Sequence, residues 1–441
     1  MKLRGLLIAV VVLAILGGVL YWSSHRKTPP TPASAENTPS ILKIDPSSVT
    51  ALTIMQKESP PVTLTRSGTN QWRITAPQST LADAGTVSGI LSSLNPLASQ
   101  RVLSDKAPDL APYGLQIPSV TIDLTEKNNK SQKLLLGDAT PTGDAVYAAL
   151  AGDPRVFTAA SYIKNSLDKS FDDLRDKRLL PVDSASVTTI DLDRKTQPVD
   201  FGRVQSGWQI QKPEPYRTNT FQVQDLLTQL TSAKMDTLTT PEASAKAFAH
   251  AAPFATARIT GSFGTDTLEV RKDRDDDYAK SSVLPGVFKV ASDNSTALAE
   301  ALNRPLDDYR DKQLFSFSYA DPDKIEVHTG ATSLVLTHAA TTWTSNGQTM
   351  DTASAESLVS ALRDLAATKF VASGFTAPEI DITVTYAGGK KTDHVQIAKT
   401  KDGGIAKRDD GPSLYQLDAV TLNELTNAVK GVKPASLPKK K

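Results

Sequence analysis

Four aspartates crowd into the run DRDDD, Asp273–Asp277, and acids alternating in this way are what a calcium loop uses to surround its ion with oxygen. Such a loop next needs a glycine for its sharp turn and a glutamate further on. Here those positions hold Tyr278 and Leu284. The run is read instead as a solvated hairpin tip. The segment GGKKT, Gly388–Thr392, lacks the first glycine of a phosphate loop and carries lysine where a hydroxyl must hold magnesium, so it reads as a turn. The five histidines, at positions 25, 250, 328, 338 and 394, never take a His-Glu-x-x-His or other close spacing. His328 and His338 fall on neighbouring strands of one hairpin, but two imidazoles without a carboxylate make a weak metal site, and exposed strand positions are expected for both. No Gly-x-Ser-x-Gly elbow occurs, and there is no cysteine to supply a thiolate ligand, a disulfide or a nucleophile. The expectation is a protein that is not an enzyme, with no catalytic, cofactor-binding or metal-ligating residue and no cofactor.

The residues that do recur are structural. Apart from Trp22, the tryptophans are Trp72, Trp208 and Trp343, at spacings of 136 and 135. Each follows an alternating apolar run and a turn, as in VTLTRSGTNQWRI, VDFGRVQSGWQI and LVLTHAATTWTS, so each reads as a hairpin whose second strand carries an indole into a core. A helix with apolar residues at i, i+4 and i+7 comes next: Val87, Leu91, Leu94; then Val223, Leu227, Leu230; then Leu358, Leu362, Leu365. Strand-like runs and a second helix close each stretch. This pattern predicts an α+β protein of three tandem repeats, each an antiparallel sheet with two helices. The limits are residues 44–182, 183–318 and 319–433, with a basic tail at 434–441.

One charged phrase stands where a further repeat follows: FDDLRDKRLLP, Phe171–Pro181, and LDDYRDKQLFS, Leu306–Ser316. It is read as a joint made by Arg175, Asp176 and Lys177, and again by Arg310, Asp311 and Lys312. The arginines are expected to reach the next repeat's first strand, near Ile190 and Ile325.

A length of 441 residues exceeds one ordinary core and suits three domains. Lys and Arg number 49 against 48 Asp and Glu, so no broad field draws nucleic acid. The uncharged stretch Gly5–Trp22 reaches about 27 Å as a helix, enough to span a bilayer. Residues 1–22 are therefore read as a retained N-terminal transmembrane helix, the membrane being one partner, and 23–43 as a Pro-rich stalk. This is preferred to a cleaved signal peptide, whose best site, Ala33–Ala35, lies far beyond the apolar run and past two basic residues.

The anchor, the W-x-I after a hairpin, PYGL-x-x-P at Pro112–Pro118 and LRDKRLL at Leu174–Leu180 together resemble the bacterial family labelled domain of unknown function 4340. The likeness runs from about Ile41 onward and is fullest in the first repeat. The second has APFATAR where Tyr-Gly-Leu is expected, and the third keeps Gly374, Phe375 and Pro378. Lys2 and Arg4 before the apolar run and Trp22 at its end put the short tail inside and the bulk outside. The expectation is a single-pass inner-membrane protein with its bulk periplasmic, and the resemblance implies an envelope protein. It also implies an envelope protein partner among ABC-type export or gliding-type components, and brings no catalytic residues. The expected function is a membrane-anchored scaffold or accessory protein, with a binding module for cell-wall glycan or a small envelope ligand as one alternative and an envelope hydrolase as the other.

Overall fold

The computed structural model describes residues 39–205, 207–317, 321–330 and 332–436. The expected anchor and most of the stalk lie outside the described residues. Among the described residues, no helix is long and apolar enough to cross a membrane. The fold is α+β, with nine α-helices among the described residues and three large antiparallel sheets. It divides into two compact units, the first ending at Asp176 and the second beginning at Lys177.

The first unit holds a nine-stranded sheet. From edge to edge it runs Thr80–Leu81, Trp72–Ala76, Val62–Arg66, Val49–Gln56, Val120–Glu126, Ser131–Ala139, Ala145–Leu150, Val156–Ala160 and Arg101–Ser104. The hairpin thus opens outward from its first strand, the meander continues on the other side, and the strand after the helix closes the far edge. Alternation dictates one buried face: in Val120–Glu126 every second residue is inside, among them Val120, Ile122 and Leu124. Two helices cover that face. The Ala84–Ser93 helix starts at Asp83, whose carboxylate accepts from the Thr86 N–H at 2.7 Å, and it packs on Ser161–Leu167.

The second unit holds two sheets. One has nine strands in the same order as the first, from Gln348–Thr349 through Lys324–Thr329 to Leu414–Asp418 and Lys369–Val371. The other has seven, from Gly207–Lys212 through Val187–Arg194 to Phe288–Lys289, and its far edge shrinks to a single bridge between Met235 and Val290. There the chain spends its residues on a helix, Pro241–His250, that the sequence reading missed. Its start was legible: the Thr240 hydroxyl accepts from the Ala243 N–H and proline takes the first turn. The helix pairs are Thr220–Ser232 with Ser292–Asn303 and Thr352–Arg363 with Ala419–Gly431. Asn219 and Asp351 cap the first helix of each, as Asp83 does in the first unit.

The Pro112–Leu115 motif has a local cause. Gly114 sits at φ 65°, and a side chain there would strike the Asp138 carboxylate at about 2.5 Å; one on Gly137 would strike the Tyr113 carbonyl. The turn lies flat on the strand because both residues are glycine. Tyr113 then meets Tyr147 edge to face, with centroids 5.2 Å apart.

Candidate functional site: the segment linking the sheets of the second unit

The short helix Leu306–Tyr309 ends at Arg310, which is extended and bridges Thr218, and the Asp311 N–H donates to the Arg217 carbonyl at 3.0 Å. One residue on, the partner changes. The Lys312 carbonyl accepts from the Ala367 N–H at 2.8 Å, Gln313 bridges Ala366, and the Leu314 N–H donates to the Leu365 carbonyl at 2.9 Å. Leu314, Phe315 and Phe317 then enter the core of the third sheet. The phrase is therefore a hinge in the pairing, with half of it bridged to the segment before the Thr220–Ser232 helix and half to the segment after the Thr352–Arg363 helix.

Side chains hold this crossing. The Arg310 guanidinium lies between the rings of Tyr216 and Phe370, at 4.0 and 3.5 Å from their centroids, and its side chain is only 10% exposed. Its Nη1 donates to Asp307 and its Nη2 to the Ser413 hydroxyl, each at 2.8 Å. A planar cation suits this slot, because its faces stack while its edge donates. Arg217 donates to the Gln313 carbonyl and to Asp311, both at 2.6 Å, and to the Ser316 hydroxyl at 2.9 Å. Arg408, almost wholly buried, donates to Asp393 and twice to Asp410, all at 2.8 Å, and also reaches the Leu314 carbonyl. Asp393 in turn accepts from the Ser316 N–H.

Burial works against the Arg408 charge, but the Asp410 hydrogen bonds and the Asp393 carboxylate outweigh it and hold the guanidinium above its usual range. Burial likewise opposes the Asp410 charge, yet Arg408 keeps this carboxyl below the ordinary range. The network thus satisfies backbone groups of a segment that lies in no sheet, using charges that are themselves paired.

The first occurrence of the phrase follows the same backbone course. In the first unit Arg175 bridges Ala82 and the Asp176 N–H donates to the Leu81 carbonyl at 2.9 Å. In the second unit the Lys177 carbonyl accepts from Met235, and the Leu179 N–H donates to Ala233, each at 2.8 Å. Leu179 and Leu180 belong to the core of the second sheet. The side chain differs: Arg175 lies 2.9 Å from Asp172 and over Phe171, both in its own short helix. The expected targets near Ile190 and Ile325 are not what these arginines meet. Each phrase pairs with the segment after the next helix, which for Arg310 leads to Phe370 and Ser413 at the sheet's far edge.

Trp72, Trp208 and Trp343 are all buried. The sequence reading missed what lies on them: Arg66 over Trp72 at 4.5 Å, Arg203 over Trp208 at 4.7 Å, and His338 stacked on Trp343 at 4.4 Å. Each is the residue opposite the indole in its hairpin, so pairing register was the available signal. Arg66 and Arg203 also donate from Nε to the carbonyls of Val49 and Val187, at 2.7 and 2.9 Å. In the DRDDD run, Asp273 pairs with Asp276 across a turn, as a hairpin tip requires. Asp277, however, is buried and accepts from the Ser295 hydroxyl at 2.6 Å, because strand alternation turns it toward the Ser292–Asn303 helix. His394 lies between Asp381 and Asp409, at 3.0 and 2.6 Å. Partial burial disfavours its charge, but the bonds to Asp409 and Asp381 raise its pKa on balance. Among the described residues no group of three or more acids and histidines is arranged to hold a metal ion. Tyr278 and Tyr415 are buried and Tyr147 is packed on Tyr113.

The chain belongs to the family described as Domain of unknown function (DUF4340), whose profile matches it twice, over residues 72–253 and 208–384. Both matches begin on a tryptophan of the hairpins and run on into the following sheet, so the family's unit includes the linking phrase. No curated protein shows significant similarity to the chain.

Proposed function

We propose that this protein is a membrane-anchored extracytoplasmic scaffold, an accessory subunit of an envelope complex of ABC-type export or gliding type, without catalysis of its own. In this reading residues 44–182, 183–318 and 319–433 are three copies of one unit, carried by the helix at residues 1–22 and a stalk that ends before Ser40, since Ser40–Leu42 form a strand of the first unit and Ile41 and Leu42 lie in its core. The observation that carries it is the linking segment around Arg310, where paired buried charges and a stacked guanidinium are used to fix one sheet to the next. Keeping successive copies in fixed relation is what a scaffold requires of its joints. The buried positions of Tyr278 and Tyr415 favour this over a glycan-stacking surface.

The test is purification of the full chain from native membranes in mild detergent, with protease applied to spheroplasts beforehand. A stoichiometric envelope protein that co-purifies, with digestion of everything beyond about residue 40, is the expected result. A chain isolated alone, or one protected from protease, overturns the reading.

A further inference from the structure

In each sheet the strand that leads into the hairpin ends beside the closing helix, and its last residue decides how strand and helix are tied. In the first sheet that residue is Gln56, opposite Val120. Its amide donates at 2.5 Å to the carboxylate of Asp168, the residue that ends the Ser161–Leu167 helix. In the seven-stranded sheet it is Arg194, opposite Ala255 and 9% exposed. Its guanidinium donates to the Gln197 carbonyl at 2.8 Å, to the Leu302 carbonyl at 3.4 Å and to the Arg304 carbonyl, the last two at the end of the Ser292–Asn303 helix. In the last sheet the same place, opposite Ile380, falls to Thr329, whose side chain is too short for that reach. A cleft of about 640 Å³ opens there, between the strand ends and the last turns of the Ala419–Gly431 helix. Ile380, Leu425 and Val429 line it, with Glu379 and Asp381 on its polar side.

We propose that this cleft binds a guanidinium group, the arginine side chain of a peptide, which takes in the last sheet the place that Arg194 takes in the sheet before it. The two slots match by position. Val429 and Leu302 stand equally far from their helix caps, Asp418 and Ala291, and Leu425 and Leu298 are buried at equivalent places one turn earlier. A helix leaves its last carbonyls without a partner of its own, and that end favours a cation. A planar fork can take two such oxygens at once while its stem lies on apolar walls. The volume is that of a small-ligand pocket, for which about 300–1,000 Å³ is usual. Of the cations at the rim, Lys399 is held by Glu379 at 3.5 Å. Lys430 opposes a bound cation, but Arg304 stands at the end of the other helix, turned to Asp225 at 2.7 Å, and Arg194 fills its slot beside it.

The probe is saturation-transfer NMR on the full-length chain in a maltoside detergent, with acetyl-arginine amide as the ligand. Saturation of its side-chain methylenes is expected. Acetyl-citrulline amide, of the same shape without the charge, should bind at least about fivefold more weakly. Thr329→Arg supplies the guanidinium from within, as Arg194 does, and should abolish the signal while the helix end at Leu425–Lys430 exchanges its amide hydrogens more slowly. If that variant does not fold, Thr329→Gln, which copies the first sheet, serves in its place. A signal unchanged in a folded variant, or equal for the citrulline compound, overturns the proposal. So does a cleft that takes octanoate and leaves the blocked arginine unsaturated. No membrane orientation or partner protein enters the measurement, so the scaffold reading stands or falls separately.

Discussion

Arg175 and Arg310 occupy the same place in one repeated phrase, and their backbones make the same two-sided pairing, yet their side chains do unlike things. Arg310 is clamped between Tyr216 and Phe370 and bonded to Ser413. Arg175 pairs with Asp172 in its own helix and lies over Phe171 at 5.7 Å. The residue before each differs too: Leu174 is a plain apolar plug, whereas Tyr309 is buried and donates from its hydroxyl to the Ala301 carbonyl at 2.7 Å. The backbone pairing is thus common to both phrases, and the charged clamp is an addition of the second.

Breaking that addition should have graded effects. The largest is expected for Arg408→Ala, which strands the Asp393 carboxylate and the Leu314 carbonyl inside; removing one partner of a buried pair costs about 3–5 kcal/mol, and urea denaturation should show it in the second unit alone. Next comes alkaline pH. Burial pushes the Tyr309 phenol up to about 12, with Arg304 and Arg194 opposing. The folded form therefore keeps its proton where the unfolded chain loses it. The stability this provides is full below pH 10 and disappears as pH rises through about 12. The loss is on the order of 2–3 kcal/mol at about 1.4 kcal/mol per pH unit, and Tyr309→Phe should abolish that part of the alkaline slope. Arg310→Ala should cost about 2 kcal/mol through the lost stacking and hydrogen bonds, with Arg310→Lys recovering little because an ammonium cannot fill a planar slot. The smallest effect is expected for Arg175→Ala. Its partly exposed pair with Asp172 is worth under about 1 kcal/mol, and an equal loss at both positions by thermal denaturation would end the distinction drawn here.

The parts of this architecture that repeat locally could be read from sequence. The indole spacing located the hairpins, and Val87, Val223 and Leu358 with their i+4 and i+7 partners located the first helices, all of which are buried. The partners of Arg175 and Arg310 could not be read, since an edge pairing between Gln313 and Ala366 joins residues far apart and leaves no periodic mark. Tyr216 and Phe370 are ordinary aromatics until the fold brings a guanidinium between them. Ser40–Leu42 were assigned to the stalk for the same reason: a three-residue strand is too short to show alternation. The change of unit between Asp176 and Lys177 falls inside the phrase, where charge looks continuous and only the hydrogen bonds change partner.

That change of partner has a genetic consequence. The stretch between the two changes of partner begins at Lys177 and ends at Asp311, 135 residues in all. Excising it joins Asp176 to Lys312 and rebuilds the phrase as LRD followed by KQLF. The leading half keeps its bridge to Ala82, and the trailing half keeps its bridge to Ala366. A crossover placed between the sheets, after residue 182, would instead send Leu179 and Leu180 away with the wrong core.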